Sequence, residues 1–199
     1  MKHFYNFLLA FLCLSAGLVA NAQVISTLPW SDGFEGGLNN WIVESDDIAY
    51  ERILAEGNPD ILSILHSAHN GTQNVYFYSS NHTSSLLSPV FNLAGKNNVV
   101  ISFWYSMQVR NGNNDELTLY YRKSSSDSWT ELVYLSGDMK DWYYVQVPVT
   151  DLSSTVQFKF EGHSQYGYGV LIDDITVKEN DYWTDEGNYN ISWYDGSGN

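Results

Sequence analysis

This 199-residue sequence predicts an all-β fold, a two-sheet antiparallel jelly-roll sandwich. Three observations carry that expectation. Apolar and polar residues alternate at period two from residue 74 onward, clusters of turn-forming residues separate the alternating runs, and no helical stretch lies between them.

From the N-terminus, Lys2 and His3 precede an apolar run from Phe4 to Ala20 and the small-x-small triplet Ala20-Asn21-Ala22. That is the pattern of an export signal over residues 1–22, with the mature chain beginning near Gln23. Asn6, Ser15 and Gly17 interrupt the run, which argues against a membrane anchor. Cys13 follows Ala10-Phe11-Leu12, not the small residues a lipoprotein signal sets before its cysteine, so lipidation there is not expected. As the only cysteine, it leaves a mature chain without disulfide or thiolate chemistry. Export without disulfides suggests a bacterial protein, secreted or displayed at the cell surface. The remaining length suits one domain, residues 23–179, with an ordinary core.

FEGGLNNW (34–41) opens the body. Within the following 47–66, DIAYERILAEG fits a short helix and ILSILH fits either strand or helix, an excursion packed onto the sandwich. The strands then become regular. NVVISFWYSM (98–107) sets Val99, Ile101, Phe103 and Tyr105 on one face. ELTLYYRK (116–123) does the same with Leu117, Leu119 and Tyr121, YYVQVPV (143–149) with Val145, Val147 and Val149, and TVQFKFEG (155–162) with Val156, Phe158 and Phe160. Pro148 needs an edge or face where its missing N–H is not wanted. RNGNND (110–115), KSSSDS (123–128) and SGDMKD (136–141) supply the turns. The tail 180–199 is acidic and aromatic, lacks the basis for a core of its own, and reads as an extension or a linker to a further domain.

A net charge of −14 makes nucleic acid a poor partner and favours cations, calcium above all outside the cell. Two segments concentrate the acids: FEGG near the start and GYGVLIDDITV (167–177) near the end. In a regular strand Asp173 shares parity with Leu171, Ile175 and Val177 and faces the core, while Asp174 faces away. A buried carboxylate of that kind requires a cation, an arginine or a set of backbone N–H donors. Glu35, between Phe34 and two glycines, lies where main-chain carbonyls can share an ion with it, and such hard oxygen ligands suit calcium.

At these residues the chain resembles a known family. Phe34, Glu35 and Trp41, then LLSPVFNLAG (86–95), SFWYSM (102–107) and IDDITV (172–177), look in order and spacing like a MAM-type jelly roll, and within that group like the cleaved-adhesin, gingipain-adhesin domains of bacterial surface proteins. The resemblance covers residues 28–179 and implies a concanavalin-like sandwich used for adhesion or for recognising host proteins or glycans, often with bound calcium. By position it implies that Glu35 and Asp173, with Asp174 beside them, are the metal-binding acids at the seam between first and last strands. The chain departs from animal MAM domains in lacking their cysteines, and from the bacterial secreted members in lacking a recognisable C-terminal sorting domain.

Catalytic signatures are missing: neither G-x-S-x-G nor H-E-x-x-H occurs, and the E-x-D-x-x-E string of sandwich glucanases is absent. His66 and His69 form an H-x-x-H without an obvious third ligand and read as solvated surface histidines. For ligand binding, the candidates are Trp104 on the face opposite Phe103 and Tyr105, and Trp129, Trp142 and Tyr143 beside turns. The expected function is therefore an adhesin-like module for protein or glycan with structural calcium, not an enzyme. The alternatives are a carbohydrate-binding accessory domain of a larger secreted enzyme and, further off, a glycosidase.

Overall fold

The computed structural model describes residues 24–45, 50–54, 68–77 and 81–180. The proposed signal, His66, ILSILH and the tail beyond Asn180 lie outside the described residues. Every regular element described is a strand: β1 (Val24–Ile25), β2 (Trp30–Asp32), β3 (Ile42–Ser45), β4 (Tyr50–Leu54), β5 (Gln73–Phe77), β6 (Thr83–Leu87), β7 (Val90–Phe91), β8 (Val99–Met107), β9 (Glu116–Arg122), β10 (Thr130–Ser136), β11 (Met139–Pro148), β12 (Gln157–His163) and β13 (Val170–Glu179). Among these residues no helix is long and apolar enough to cross a membrane.

Two antiparallel sheets form the sandwich. One has five strands in the order β10-β9-β12-β6-β3, and the other runs β11-β8-β13-β5-β4 with β2 added against β13. A short parallel pair, β1 with β7, adjoins the five-stranded sheet through a bridge between Phe91 and Val156, just before β12. The jelly-roll expectation holds. The period-two residues go where alternation puts them: Val99, Ile101, Phe103, Tyr105, Leu117, Leu119, Val156, Phe158 and Phe160 are buried in one core between the sheets. Phe103 of β8 meets Phe160 of β12 edge-on across the core at 5.0 Å between ring centroids. Pro148 sits on β11, the edge strand of its sheet, where a missing N–H costs no ladder bond.

Residues 50–54 correct one expectation. Instead of a short helix they form β4, which extends the six-stranded sheet by pairing with β5 from Tyr50 opposite Phe77 to Leu54 opposite Gln73. Five consecutive backbone pairings on an open sheet edge outweigh the weak helical propensity of so short a stretch.

A second correction concerns the last strand. Val170 and Ile172 enter the core, so Leu171 and Asp173 turn to the outer face of the six-stranded sheet. Asp173 lies opposite Trp104, itself outward between the core residues Phe103 and Tyr105. The alternation then breaks. Asp174 has φ of 47°, the register with β8 shifts between Asp173 and Thr176, and Ile175 and Val177 return to the core. Asp173 is buried as expected, at 0% exposure, but on the other side of the sheet.

Candidate functional site

The bulge lies at a gap in the sheet. Along one side of β13, β5 pairs with residues 170–172 and β2 with residues 175–177, so the two short strands lie end to end with Asp173 and Asp174 between them. Into that gap come the turn after β2, residues 33–35, and the turn before β5, residues 68–72. The two end segments that stand out in the sequence do meet.

Hydrogen bonds knit the seam. Asp32 ends β2 and accepts from Phe34 N (2.8 Å) and from Trp41 Nε1 (2.9 Å), which sets the turn and anchors Trp41. Phe34 takes φ of 61° there and is fully buried. Glu35 reaches the 68–72 turn, where its carboxylate accepts from Thr72 N, Thr72 Oγ1 and Gln73 N at 2.7–2.8 Å. Gly71 beneath it has φ of 73°, and a Cβ there would strike the Glu35 carboxylate, so glycine is required twice over.

Asp173 accepts from the Asp174, His69 and Asn70 amides at 2.7, 2.9 and 3.4 Å. Burial nevertheless pushes its carboxyl up to about 6, the adjacent Asp174 charge adding to the effect while the N–H donors oppose it. Neither acid pairs with a lysine or arginine among the described residues. Among those residues, too, no three acidic, histidine or cysteine side chains converge as metal ligands. The seam thus brings together hard oxygen donors, which N–H donors and the His69 ring engage in the present geometry.

Above the seam lies an aromatic surface on the outer face of the six-stranded sheet. His69, read from sequence as a solvated surface histidine, is instead half-buried. Its ring stacks on Trp104 at 3.9 Å between centroids and 16° between planes, meets Trp142 edge-on at 5.8 Å, and bonds through Nδ1 to Asp174 at 2.6 Å. Tyr144 leans on Trp104 at 5.4 Å. Trp142 and Tyr168 pack with the buried pair Tyr76 and Leu171, and the Tyr76 hydroxyl donates to the Tyr168 carbonyl at 3.0 Å. Arg110 stands over the Tyr168 ring at 5.4 Å. Asn74 of β5, on this same face by its alternation with Val75, is fully buried, and its amide has no hydrogen-bond partner among the described residues.

The four aromatic candidates therefore divide. Trp104 and Trp142 come together, bridged by His69. Trp129 is on the opposite sheet, its ring capped by Arg122 at 4.3 Å and Lys159 at 5.3 Å. Tyr143 turns inward against Tyr105. The sequence carried the signal for Tyr143, which shares parity with Val145 and Val147, and for Tyr144, which shares parity with Trp142. His69 could not be found that way, because a turn residue has no period to follow.

Comparison with known proteins adds two findings. The model of the MAM domain, meprin/A5/mu, matches residues 33–181. Among solved structures, the K1 cleaved-adhesin domain of Lys-gingipain from Porphyromonas gingivalis W83 aligns over 77% of this chain and 99% of its own at 19% identity, with a TM-score of 0.59. The K2 domain of Lys-gingipain aligns over the same shares at 14% identity and 0.58. A family 61 carbohydrate-binding module, solved in complex with β-1,4-galactotriose, aligns over 74% of this chain and 94% of its own at 17% identity and 0.55. At these identities the likeness is one of fold. No protein of curated function matches the sequence.

Proposed function

We propose that this chain, which belongs to the MAM domain family, is an extracellular, non-catalytic binding module that recognises glycans on the outer face of its six-stranded sheet. The observation that carries the reading is the half-buried aromatic assembly of Trp142, Tyr144 and the His69–Trp104 stack on one sheet face. Rings of this kind stack on the apolar faces of sugars while neighbouring polar groups take the hydroxyls. Two kinds of structural neighbour, adhesin domains and a module solved with a galactotriose, support a binding role over a hydrolytic one.

A glycan array probed with the purified chain tests this. Wild type is expected to bind at least one immobilised glycan, Trp142→Ala to weaken that binding about tenfold or more, and Trp129→Ala to leave it unchanged. Absence of any glycan binding, or loss with Trp129→Ala alone, overturns the reading.

Calcium belongs to the same proposal, held at the seam by Glu35, Asp173 and Asp174. Its chemistry there is structural: a divalent charge neutralises the adjacent acids and ties the strand ends together. Chelation is expected to lower the melting temperature of wild type, and Asp173→Ala to abolish that difference. A wild-type midpoint indifferent to both chelator and added calcium rules the ion out.

A further inference from the structure

We infer that Tyr166 is a ligand contact at the end of the aromatic face, the anchor of a second subsite beyond Trp142, so that the partner is an oligosaccharide chain and not a single sugar; this rests on the glycan-binding reading above. Three features lead there. Tyr166 is 57% exposed, the most exposed large apolar or aromatic side chain among the described residues, and makes no hydrogen bond or ring contact with them. It also takes φ of 65°, a left-handed conformation that strains any side chain and leaves glycine at ease. The path of the loop does not ask for a tyrosine, since Gly169 serves the same kind of backbone with φ of 88°. A ring that costs strain and stays in water gives the folded chain nothing in return, which is the mark of a residue held for a ligand.

The second feature is rigidity. The N–H groups of Gln165, Gly167 and Gly169 are bonded to the Asp115 carboxylate, that of Ser164 to the His82 carbonyl and that of Tyr168 to the Gln108 carbonyl. The loop therefore presents Tyr166 on a fixed backbone, with little freedom left to lose on binding. The third feature is place. Tyr168 packs, as Trp142 does, against the buried pair Tyr76 and Leu171, and Arg110 stands over its ring, so Tyr168 continues the face without offering an open platform. Two residues back, the Tyr166 Cα lies within about 7 Å of the Tyr168 Cα, and its exposed ring is the one that extends the series. A chain of sugars fits this arrangement, stacked on Trp142 toward one end and on Tyr166 toward the other, with the Arg110 guanidinium donating to hydroxyls between them. A single sugar engages one end alone.

Tyr166→Gly and Tyr166→Asn both remove the ring and both suit the left-handed backbone, so each is expected to melt within a few degrees of wild type or above it. The probe is a glycan array at saturating calcium and pH 7.5, whose members, β-1,4-galacto- and β-1,4-xylo-oligosaccharides among them, run from monosaccharide to hexasaccharide. Wild-type affinity is expected to rise with chain length. Both variants are expected to lose about tenfold for the longest chain bound, the scale of one aromatic contact, and nothing for the shortest, whereas Trp142→Ala loses at every length. Long-chain affinity unchanged in either variant, or a loss equal at every length, overturns the second subsite and leaves the glycan reading standing. A wild type that binds all lengths alike does the same, and so does a melting temperature many degrees lower in both variants, since the ring would then serve the fold. A wild type that binds no glycan overturns both.

Discussion

Asp115→Ala is expected to lower the unfolding free energy by about 3–5 kcal/mol, the cost of stripping several donors of a charged acceptor in a closed site. Asp115 precedes β9 and is 1% exposed. It accepts from Ser164 Oγ, Gln165 N, Gly167 N and Gly169 N at 3.2, 2.7, 2.9 and 2.6 Å. The loop so held has no ladder of its own: Tyr166 and Gly169 take φ of 65° and 88°, and a Cβ on Gly167 would strike the Asp115 carboxylate. One carboxylate thus substitutes for the regular backbone pairing the segment lacks. Alanine removes the Asp115 acceptor from the buried Gly167 and Gly169 amides. Asparagine keeps one acceptor oxygen but turns an NH2 toward N–H donors, so it is expected to fall between alanine and wild type. Urea denaturation of the three proteins measures the difference, and hydrogen exchange at Gln165, Gly167 and Gly169 is expected to accelerate in the alanine variant. A loss below about 1 kcal/mol would show that the loop is held by other contacts. The effect reaches the proposed binding face, because Tyr168 in this loop packs, as Trp142 does, against the buried pair Tyr76 and Leu171.

How much of this was legible beforehand follows from where the periodicity runs unbroken. Val156, Phe158 and Phe160 alternate through β12 without a defect, and so do Val99 to Tyr105 in β8, which is why fold class and core could be read from the string. The same rule misplaces Asp173, because a single positive-φ residue at Asp174 inverts the parity between Ile172 and Ile175, and nothing in IDDIT announces that bulge. Ironically for the rule, Tyr143 is where parity would have served: its turn-side position suggested exposure, while Val145 two residues on shared its inward face. His69 depends on tertiary contact altogether. Its partners Asp173, Asp174, Trp104 and Trp142 lie 35 or more positions away in sequence, and no local pattern links a turn residue to them. The seam fares better, because a glycine-flanked Glu35 and a double Asp at the ends of the domain pointed to one closure, whatever fills it.

In chelator, Asp173→Asn is expected to be more stable than wild type at pH 7.5, and the gap to close as the pH falls toward 4. The sign follows from the direction of the shift. Burial raises the folded-state carboxyl to about 6, above the roughly 3.9 of an unfolded aspartate, so the native state binds its proton more tightly than the unfolded chain does. Stability from this group is therefore fully present below about pH 3.9 and lost as the pH rises through about 6. At pH 7.5 the ionised form remains a burden that neutral asparagine does not carry, and the gain is what is left after its NH2 has been turned toward one of the N–H donors of the site. The gain is expected at about 1–2 kcal/mol, below the full shift because neighbouring dipoles and solvent screen part of the charge. Comparing variant with wild type at each pH removes the background of the many other acids. Saturating calcium is expected to invert the order, since an ion that neutralises Asp173 converts the same carboxylate into a ligand that asparagine replaces poorly. An Asp173→Asn protein no more stable than wild type in chelator would mean that the His69, Asn70 and Asp174 amides compensate the charge by themselves, and the seam would need no cation.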